Sequence, residues 1–328
     1  MSESCTVGIV SDIHYAGAAE HERGNDYEFR TLTNPLRFLV RLHRRFLWLH
    51  QPLDQNHLLD HFLNHGSIFD YVVANGDYSC NTGFIGLSDE AARLSARECI
   101  DKLRQKFHER LRLTIGDHEL GKTSFVGGRG GMRLASWRCA REDLKLPGFW
   151  KLEIGRYVLL GVVSSLVALP VYEPDTLPEE RSEWSKLRAA HMTEVREAFQ
   201  ELKPDRKVLL FCHDPTALPF LLREEVIRSK IDQIEQTIIG HLHSNFILRQ
   251  SRMLSGMPRI TFMGHTATRL STALREARHW RPFKVRLCPS LAGIELLKDG
   301  GYLTARLDPS GSKPAEFQLH RVPRQKAA

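Results

Sequence analysis

Side chains that can bind metal ions follow five short apolar segments of this 328-residue chain. Each segment is rich in branched residues and runs directly into a polar cluster, which is typical of a buried strand that ends in a loop. The clusters supply three aspartates and five histidines: Asp12 and His14, Asp77, Asp117 and His118, His213, and His241 and His243. Because loops beyond the carboxyl ends of strands in an open α/β sheet share one crevice, we expect these side chains to converge.

This set of side chains suits a site for two metal ions. Imidazole nitrogen and carboxylate oxygen are ligands for Zn, Fe and Mn. Two such ions about 3.5–4 Å apart activate a bridging water and hold both oxygens of an in-line displacement at phosphorus. A carboxylate shared by the two ions is the natural bridge, and Asp77 is well placed for that role. The sequence therefore predicts a dinuclear hydrolase of phosphate esters or pyrophosphates.

The same clusters resemble, in their order along the chain, the sequence pattern of the calcineurin-like metallophosphoesterases. That pattern is DxH, GDxx, GNH(D/E), an isolated His and GHxH. The corresponding blocks here are Asp12-Ile13-His14, Gly76-Asp77, Gly116-Asp117-His118-Glu119, His213 and Gly240-His241-Leu242-His243. Each block alone is a weak signal, whereas five blocks in the family's order are a strong one.

By position, the resemblance implies two ligand sets that share one carboxylate: Asp12, His14 and His243 for one metal, Asp117, His213 and His241 for the other, and Asp77 for both. It implies two divalent ions, Mn first and Fe or Zn as alternatives. A metal-bound hydroxide would attack phosphorus without a covalent phosphoenzyme. His118 would be the catalytic histidine, close to the leaving-group oxygen.

Position 117 departs from the family pattern, which has Asn there. Asp117 can still offer one oxygen to a metal, but it accepts hydrogen bonds where an amide would also donate them. Two divalent ions offset by Asp12, Asp77 and a bridging hydroxide leave one net positive charge with Asn and none with Asp. The lower charge should weaken phosphate attraction and raise the pKa of bound water while tightening the metal. Compensation by nearby arginines is the explanation we favour, with an engineered substitution or a weakened enzyme as alternatives.

Two acidic residues beside the ligands have two interpretations each. Glu119 either orients a ligand or is an ordinary loop carboxylate. Asp214 follows His213, and it either supports a ligand from behind or caps a helix that starts after Pro215.

The apolar segments also predict the fold class. They alternate with helix-like stretches at 88–110, 180–202 and 218–231, which indicates an α/β layered domain. Further strands are predicted in the later part of the chain: 150–165, 246–250, 259–265, 293–308, which holds a tight-turn signal at 299–302, and 316–322. We predict two β-sheets sandwiched between helices, a mixed four-layer sandwich in a single domain over residues 1–323. The tail at 324–328 is expected to be disordered.

Residues 15–65 are predicted to be an insertion, because the 64 residues between Asp12 and Asp77 exceed what one helical crossover needs. The insertion contains a helix at 35–50 that carries an arginine stripe beside a broad apolar side. Such a helix lies in a membrane interface or covers an acyl chain, or it packs its apolar side on the core. Both hypotheses stay open at this stage.

The net charge of +7 and the isoelectric point of about 9.1 favour an anionic partner. Candidate contacts to its phosphates are six arginines: Arg41, Arg44 and Arg45 of the helix, Arg129 and Arg133 of a glycine-rich loop, and Arg269 of a later basic cluster. Nucleic acid is not expected, because no basic patch is interleaved with aromatic residues.

Within the family, a basic apolar insertion is similar to that of the UDP-2,3-diacylglucosamine pyrophosphohydrolases of lipid A synthesis. This implies an acylated, nucleotide-linked substrate cleaved to lipid X and UMP at a membrane surface. A soluble nucleotide phosphodiesterase, a protein phosphatase and a catalytically weak scaffold are the alternatives. The six scattered cysteines and the lack of a signal-peptide pattern predict a cytoplasmic protein, either free or peripheral on the cytoplasmic face of a membrane.

Overall fold

The computed structural model describes residues 4–27, 32–65, 68–80, 84–121, 130–262 and 265–322. The strands in these ranges are β1 (Cys5–Val10), β2 (Tyr71–Ala74), β3 (Leu111–Leu113), β4 (Phe149–Ile154), β5 (Tyr157–Val162), β6 (Lys207–Cys212), β7 (Ile234–Ile239), β8 (Val285–Leu287), β9 (Gly301–Leu307) and β10 (Glu316–Arg321). The predicted tail at 324–328 lies outside the described residues.

The α-helices of the same ranges vary from single turns to five turns. They are α1 (Ala18–Arg23), α2 (Asn34–Phe46), α3 (Asn56–His65), α4 (Glu90–Phe107), α5 (Asp117–Leu120), α6 (Leu134–Arg138), α7 (Ser164–Val167), α8 (Leu169–Tyr172), α9 (Arg181–Gln200), α10 (Leu218–Arg223), α11 (Glu225–Ser229), α12 (Asn245–Met253) and α13 (His265–Glu276). Within the described ranges, each helix is too short or too polar to span a bilayer.

The strands form two five-stranded sheets that mix parallel and antiparallel neighbours. In the first sheet the order is β10-β9-β1-β2-β3, with β1, β2 and β3 parallel to one another. In the second the order is β4-β5-β6-β7-β8, with β5 to β8 parallel and β4 antiparallel. The five strands that precede the polar clusters, β1, β2, β3, β6 and β7, all lie in these parallel parts. Their carboxyl ends therefore share one edge within each sheet.

The core has three apolar layers because side chains alternate across each strand. In β6, Leu209 and Phe211 point at the first sheet and contact a cluster that includes Val7 and Ile9 of β1. The intervening Leu210 points the other way, into the cluster formed with α9 and α10. A third cluster fills the space between the first sheet and α3 and α4. Two sheets sandwiched between helices are the predicted architecture, and the fold class is confirmed.

Two predicted strands, at 246–250 and 259–265, are wrong. The first is part of α12, whose start is capped by Ser244, since its Oγ accepts a hydrogen bond from the Phe246 N–H at 3.1 Å. Residues 259–262 form no strand, and 263–264 lie outside the described residues. A short apolar run carries too little periodicity to separate a strand from a helix turn.

The predicted hairpin within 293–308 is half right. Its second part is β9, which pairs with β1 and β10. Its first part forms turns, because the Asp299 carboxylate accepts a hydrogen bond from the Ile294 N–H at 3.1 Å and closes a compact loop. The turn signal at 299–302 therefore marks the entry to one strand.

The predicted helices exist, with one division. α4 and α9 lie within the predicted ranges 88–110 and 180–202. The range 218–231 holds two helices, α10 and α11, because Glu224 between them has an extended backbone with φ −72° and ψ 119°.

Helix α2 lies with part of its basic side toward the protein and its apolar side outward. Its half-buried residues are Arg37, Val40 and Arg44. The Arg44 guanidinium donates to the Asn25 carbonyl at 2.8 Å, and Arg41 pairs with Asp26. The exposed apolar residues of the helix are Leu36, Phe38 at 63% exposure, Leu39 at 56%, Leu42 and Phe46 at 57%. The hypothesis that the apolar side packs on the core is therefore wrong.

Candidate metal centre

The loops after β1, β2, β3, β6 and β7 bring all eight predicted residues together. They form four overlapping groups whose possible ligand atoms lie within 4.8 Å of one another in each group: Asp12, His14 and His243; Asp117, His213 and His241; Asp12, Asp77 and His213; and Asp77, Asp117 and His118. The first two groups are the two ligand sets that the resemblance implies. Asp77 belongs to the third and the fourth group, and it therefore lies between the two ligand sets.

Backbone hydrogen bonds continue past the ends of the strands and set the spacing of the loops. The Asp12 N–H donates to the Gly76 carbonyl and the His14 N–H to the Asp77 carbonyl, both at 3.1 Å. Across to the second sheet, the His241 N–H donates to the Asp12 carboxylate at 3.0 Å. Asp12 thus fixes the position of a loop in the opposite sheet as well as facing the centre.

Two glycines allow the loops after β2 and β3 to touch. A Cβ on Gly116 would lie 2.2 Å from Asp77 Oδ1. A Cβ on Gly76 would lie 2.7 Å from the Gly116 backbone, and the φ of Gly76 is 92°. Any side chain at either position would push Asp77 away from Asp117.

Five of the predicted ligands have a backbone in the left-handed region, which residues other than glycine rarely adopt. Their φ values are 50° for Asp12, 51° for His14, 60° for Asp77, 60° for His241 and 59° for His243. Each such residue costs on the order of 1–3 kcal/mol and persists only where its surroundings hold it. Strain concentrated in this way indicates a site built for function.

Two imidazoles, those of His213 and His14, are oriented as metal ligands are, with one ring nitrogen on an oxygen acceptor and the other facing the centre. His213 Nδ1 lies 2.5 Å from the Asn75 carbonyl oxygen. Its other ring nitrogen, Nε2, therefore faces the centre, 3.0 Å from Asp77 Oδ2 and 3.1 Å from Asp117 Oδ1. His14 Nδ1 lies 3.2 Å from the Ser79 carbonyl oxygen, and its Nε2 is 3.3 Å from His243 Nε2.

Buried polar atoms at the centre lack the hydrogen bonds that burial normally requires. Asp77 Oδ2 and His213 Nε2 are both buried and lie 3.0 Å apart, yet neither has a partner of hydrogen-bond geometry among the described residues. A cation between them would satisfy both atoms, and nitrogen with carboxylate oxygen is the donor set of Mn, Fe and Zn. The residues therefore fit a metal-binding group.

The pKa shifts show how strongly charge is concentrated here. Burial raises the pKa of the Asp12 carboxyl, although His213 works against this. Burial lowers the pKa of His14, and His118 adds to the effect. For His213, burial would lower the pKa, yet Asp77 and Asp12 raise it well above its ordinary value. Protons and metal ions would compete for these atoms.

His118 lies at the edge of the centre rather than inside it. Its backbone N–H donates to Asp77 Oδ1 at 3.0 Å, while its Nε2 is 3.9 Å from Asp77 Oδ2. Its ring centroid is 4.9 Å from that of His14, and its side chain remains 14% exposed. The imidazole is within reach of both the ligands and an incoming substrate.

Asp214 fulfils one of the two roles that the sequence left open, that of a cap, and also lies near a predicted ligand. Its Oδ1 accepts from the Thr216 N–H at 2.8 Å, which caps the turn that follows. Its Oδ2 accepts the hydroxyl of Tyr172 and lies 3.9 Å from Nε2 of His241. Tyr172 was not predicted, since nothing in the sequence around α8 marks it as part of a site.

Trp48 is a second residue that the sequence did not place at the centre. Its ring centroid is 5.1 Å from that of His243. Its carbonyl accepts from the Glu295 N–H at 2.6 Å, so the end of the α2 segment is tied to the loop before β9.

The predicted arginines make their recorded contacts away from the ligands. Arg45 lies over the Phe46 ring at 5.6 Å, and the contacts of Arg41 and Arg44 are those given for α2. Arg133 donates to the Asp175 carbonyl at 3.4 Å, and Arg269 pairs with the Asp175 carboxylate at 2.5 Å. Arg129 lies outside the described residues. Substrate contacts by these side chains stay a prediction.

No protein-family model matches the chain, and no curated protein matches it. Among solved structures, it is similar to the phosphopantetheinyl hydrolase PptH of Mycobacterium tuberculosis, with 14% identity over 74% of this chain and 84% of that chain and a TM-score of 0.34. That similarity is too low to support a conclusion, so the fold and the site are inferred from this chain's own residues.

Proposed function

We propose that the chain is a hydrolase of phosphate esters or pyrophosphates that uses two divalent metal ions, Mn first among them. The observation that carries the proposal is the pair of three-residue ligand groups with Asp77 between them. The five motif blocks support it, since they resemble the calcineurin-like metallophosphoesterases in order and in residue type. Ions bound there would activate water and neutralise the phosphate oxygens.

The protein's own groups orient the reactants. Asp12, His14 and His243 would hold one ion, Asp117, His213 and His241 the other, with Asp77 shared. His118, at the edge of the centre, would hold a proton at Nε2 and deliver it to the leaving-group oxygen. That nitrogen lies 3.9 Å from the Asp77 carboxylate, which places the imidazole beside the two ligand groups.

The outward apolar side of α2 supports a substrate that is partly apolar. A contiguous apolar surface rimmed by charge marks a contact with lipid or another molecule. Trp48, two residues after α2, has its ring 5.1 Å from that of His243, and the loop bonded to Trp48 exposes Leu296 and Leu297. We therefore propose a lipid-linked nucleotide such as UDP-2,3-diacylglucosamine, bound by a protein that is peripheral on the cytoplasmic face of a membrane.

Metal analysis and a generic substrate test the enzyme proposal. The purified protein should contain Mn, Fe or Zn and should hydrolyse bis-p-nitrophenyl phosphate when Mn is present. A protein that holds none of these metals and does not cleave the ester is a scaffold.

The lipid proposal has a separate assay. UDP-2,3-diacylglucosamine in detergent with Mn should yield UMP faster than UDP-N-acetylglucosamine does. Cleavage of soluble phosphodiesters or phosphoserine peptides without cleavage of the lipid would instead favour a nucleotide phosphodiesterase or a protein phosphatase.

A further inference from the structure

Glu119 is a fully buried carboxylate that lies beside the metal centre without belonging to either ligand group. Its Oε2 accepts from the Gly116 N–H at 2.8 Å and from the Asp77 N–H at 3.0 Å. Its Oε1 accepts from the Tyr78 N–H at 2.8 Å. Both oxygens are therefore engaged by backbone.

Only one of these three bonds is explained by the local helix. Glu119 is the third residue of α5, and its bond to Gly116, the residue before the helix, is that of a capping glutamate. The bonds to Asp77 and Tyr78 come from the loop after β2, more than 40 residues earlier in the chain. A helix cap requires neither of them.

The two distant bonds hold a strained segment. Gly76 and Asp77 both have positive φ, at 92° and 60°. The successive N–H groups of Asp77 and Tyr78 both point at Glu119, and neighbouring N–H groups that point to one side in a turn form a concavity that binds an anion. The Glu119 carboxylate occupies this concavity.

Asp77 and α5 are also bonded in the opposite direction. Asp77 Oδ1 accepts from the His118 N–H at 3.0 Å, one residue before Glu119. The backbone of Asp77 is thus fixed by Glu119 while its first oxygen is fixed by α5. Its second oxygen, Oδ2, remains directed at His213 Nε2 at 3.0 Å.

We propose that Glu119 is the positioning residue of Asp77: it holds the strained Gly76–Asp77 backbone so that the Asp77 carboxylate lies between the two ligand groups. The inference rests on the proposed function in that Asp77 serves two ions. Glu119 is not itself a ligand in this arrangement, because both of its oxygens already accept N–H groups.

Glu119→Gln tests the proposal, because glutamine keeps the size of the side chain and turns one acceptor oxygen into a donor. At least one of the three N–H groups then loses its acceptor. We expect the affinity for Mn to fall by about 10–100-fold, the loss typical of outer partners of metal ligands. We also expect the paramagnetic resonance signal of a spin-coupled Mn pair to be lost or changed at saturating Mn. Glu109→Gln, an exposed glutamate two residues before β3, is the matched control.

The outcomes separate this proposal from the proposed function. Wild-type protein that binds none of Mn, Fe and Zn would refute the metal-dependent hydrolase and leave Asp77 with nothing to bridge. Wild-type protein with a coupled Mn pair, together with a folded Glu119→Gln variant of equal affinity and identical signal, would refute the positioning role alone. If the Gln variant does not fold, Glu119→Asp replaces it, since the shorter carboxylate cannot span both loops. A wild-type signal and affinity in that variant would overturn the proposal equally.

Discussion

At the scale of single residues, Asp117 is the position where the centre departs from the sequence pattern of the calcineurin-like metallophosphoesterases, which has Asn there. Its Oδ1 lies 3.1 Å from His213 Nε2 and 2.9 Å from His241 Nδ1, so one oxygen faces two imidazoles. An amide oxygen at the same place would keep that geometry and remove one negative charge. These two imidazoles are therefore neighbours of this charge, while compensation by arginines stays a prediction.

Asp117→Asn is therefore expected to keep the metals and not to lower activity. With more positive charge at the centre, KM for an anionic substrate should stay equal or fall, within about tenfold, which corresponds to ~1.4 kcal/mol. Steady-state kinetics with bis-p-nitrophenyl phosphate and metal analysis check both statements. Asp117→Ala, which removes the oxygen, is the control and should lose one metal. Loss of metal in the Asn variant would show that the full charge is needed for binding.

His118→Ala should lose turnover and keep its metals. General acid catalysis contributes about 10²–10⁴-fold, and kcat is expected to fall by that amount while KM changes little. The proton donor should matter less for a substrate whose leaving group is a weak base. Metal depletion in this variant would mean that His118 is a ligand, which its place in a group with Asp77 and Asp117 makes a real alternative.

The eight residues of the centre could be predicted because their types and order are local properties of the sequence. Tyr172 and Trp48 could not, since each reaches the centre only through the packing of an element that carries no ligand. The role of Asp214 was also undecidable from the sequence, because a cap and a ligand support require the same carboxylate. Its 2.8 Å bond to Thr216 shows the cap, whereas its 3.9 Å distance to His241 is too long for a hydrogen bond.

At the scale of elements, α2 faces the protein with part of its basic side and solvent with its apolar side, the opposite of an ordinary surface helix. Its apolar side is exposed, and Arg41 and Arg44 attach it to residues 25 and 26. Periodicity predicted the amphipathic helix correctly but could not show which side faces the protein. The answer depends on the partners at Asn25 and Asp26, which lie outside the helix.

The double variant Phe38→Ser, Leu42→Ser should weaken attachment to lipid and leave soluble chemistry intact. Both side chains are exposed, so their loss removes lipid contact without opening a cavity. Co-sedimentation with vesicles that contain anionic phospholipid should fall by about tenfold or more, since each buried apolar side chain contributes roughly 1.5–3 kcal/mol. Met253→Ser, another exposed apolar position, is the control. Equal sedimentation of all three proteins would refute the lipid contact.

Helix α9 supplies a buried histidine with a separate effect on stability. His191 Nε2 accepts from the Val163 N–H at 3.2 Å, which requires a neutral ring nitrogen there. Burial lowers the pKa of His191, although Glu194 opposes this. Below pH about 6.5, His191 becomes protonated in the unfolded chain but stays neutral in the native protein, because its native pKa is lower. The stabilising contribution is therefore complete above that pH and is lost as pH falls toward the native pKa.

His191→Gln should accordingly flatten the decrease of unfolding free energy below pH 6.5, by at most ~1.4 kcal/mol per pH unit. Urea unfolding in the presence of a chelator isolates this effect from metal binding. His43→Gln removes an exposed imidazole and is the control for the loss of a histidine as such. A parallel slope in His191→Gln and wild type would contradict the argument.

At the scale of the whole molecule, the metal centre joins the two sheets. Asp12 belongs to the first sheet and bonds the His241 loop of the second, while Asp77 of the first faces His213 of the second. Ions that bridge these groups would stabilise the sandwich as a unit. The sequence predicted two sheets because strand-like segments were numerous. It could not predict their order, since β9 enters the first sheet beside β1 from nearly the far end of the chain.

Chelation should therefore lower the thermal stability of the whole protein. A ligand present at about 100 times its dissociation constant stabilises by roughly 2.7 kcal/mol, so removal of the metals with EDTA should lower Tm by several degrees. Addition of excess Mn should restore it, and Ca, which prefers a larger set of oxygen ligands, should restore less. An unchanged melting curve would mean that the two sheets do not depend on the ions.

The left-handed backbones at the centre have a consequence for protein engineering. Glycine or asparagine adopts this conformation more easily than aspartate or histidine does. A selection for thermostability in the presence of a chelator, where no ion stabilises the protein, would therefore favour such replacements at Asp12, Asp77 or His241, by about a kcal/mol each. Every gain would remove a ligand, and the most stable variants selected in this way would be inert. Stabilisation should be sought elsewhere, with the centre held fixed and activity screened at each round.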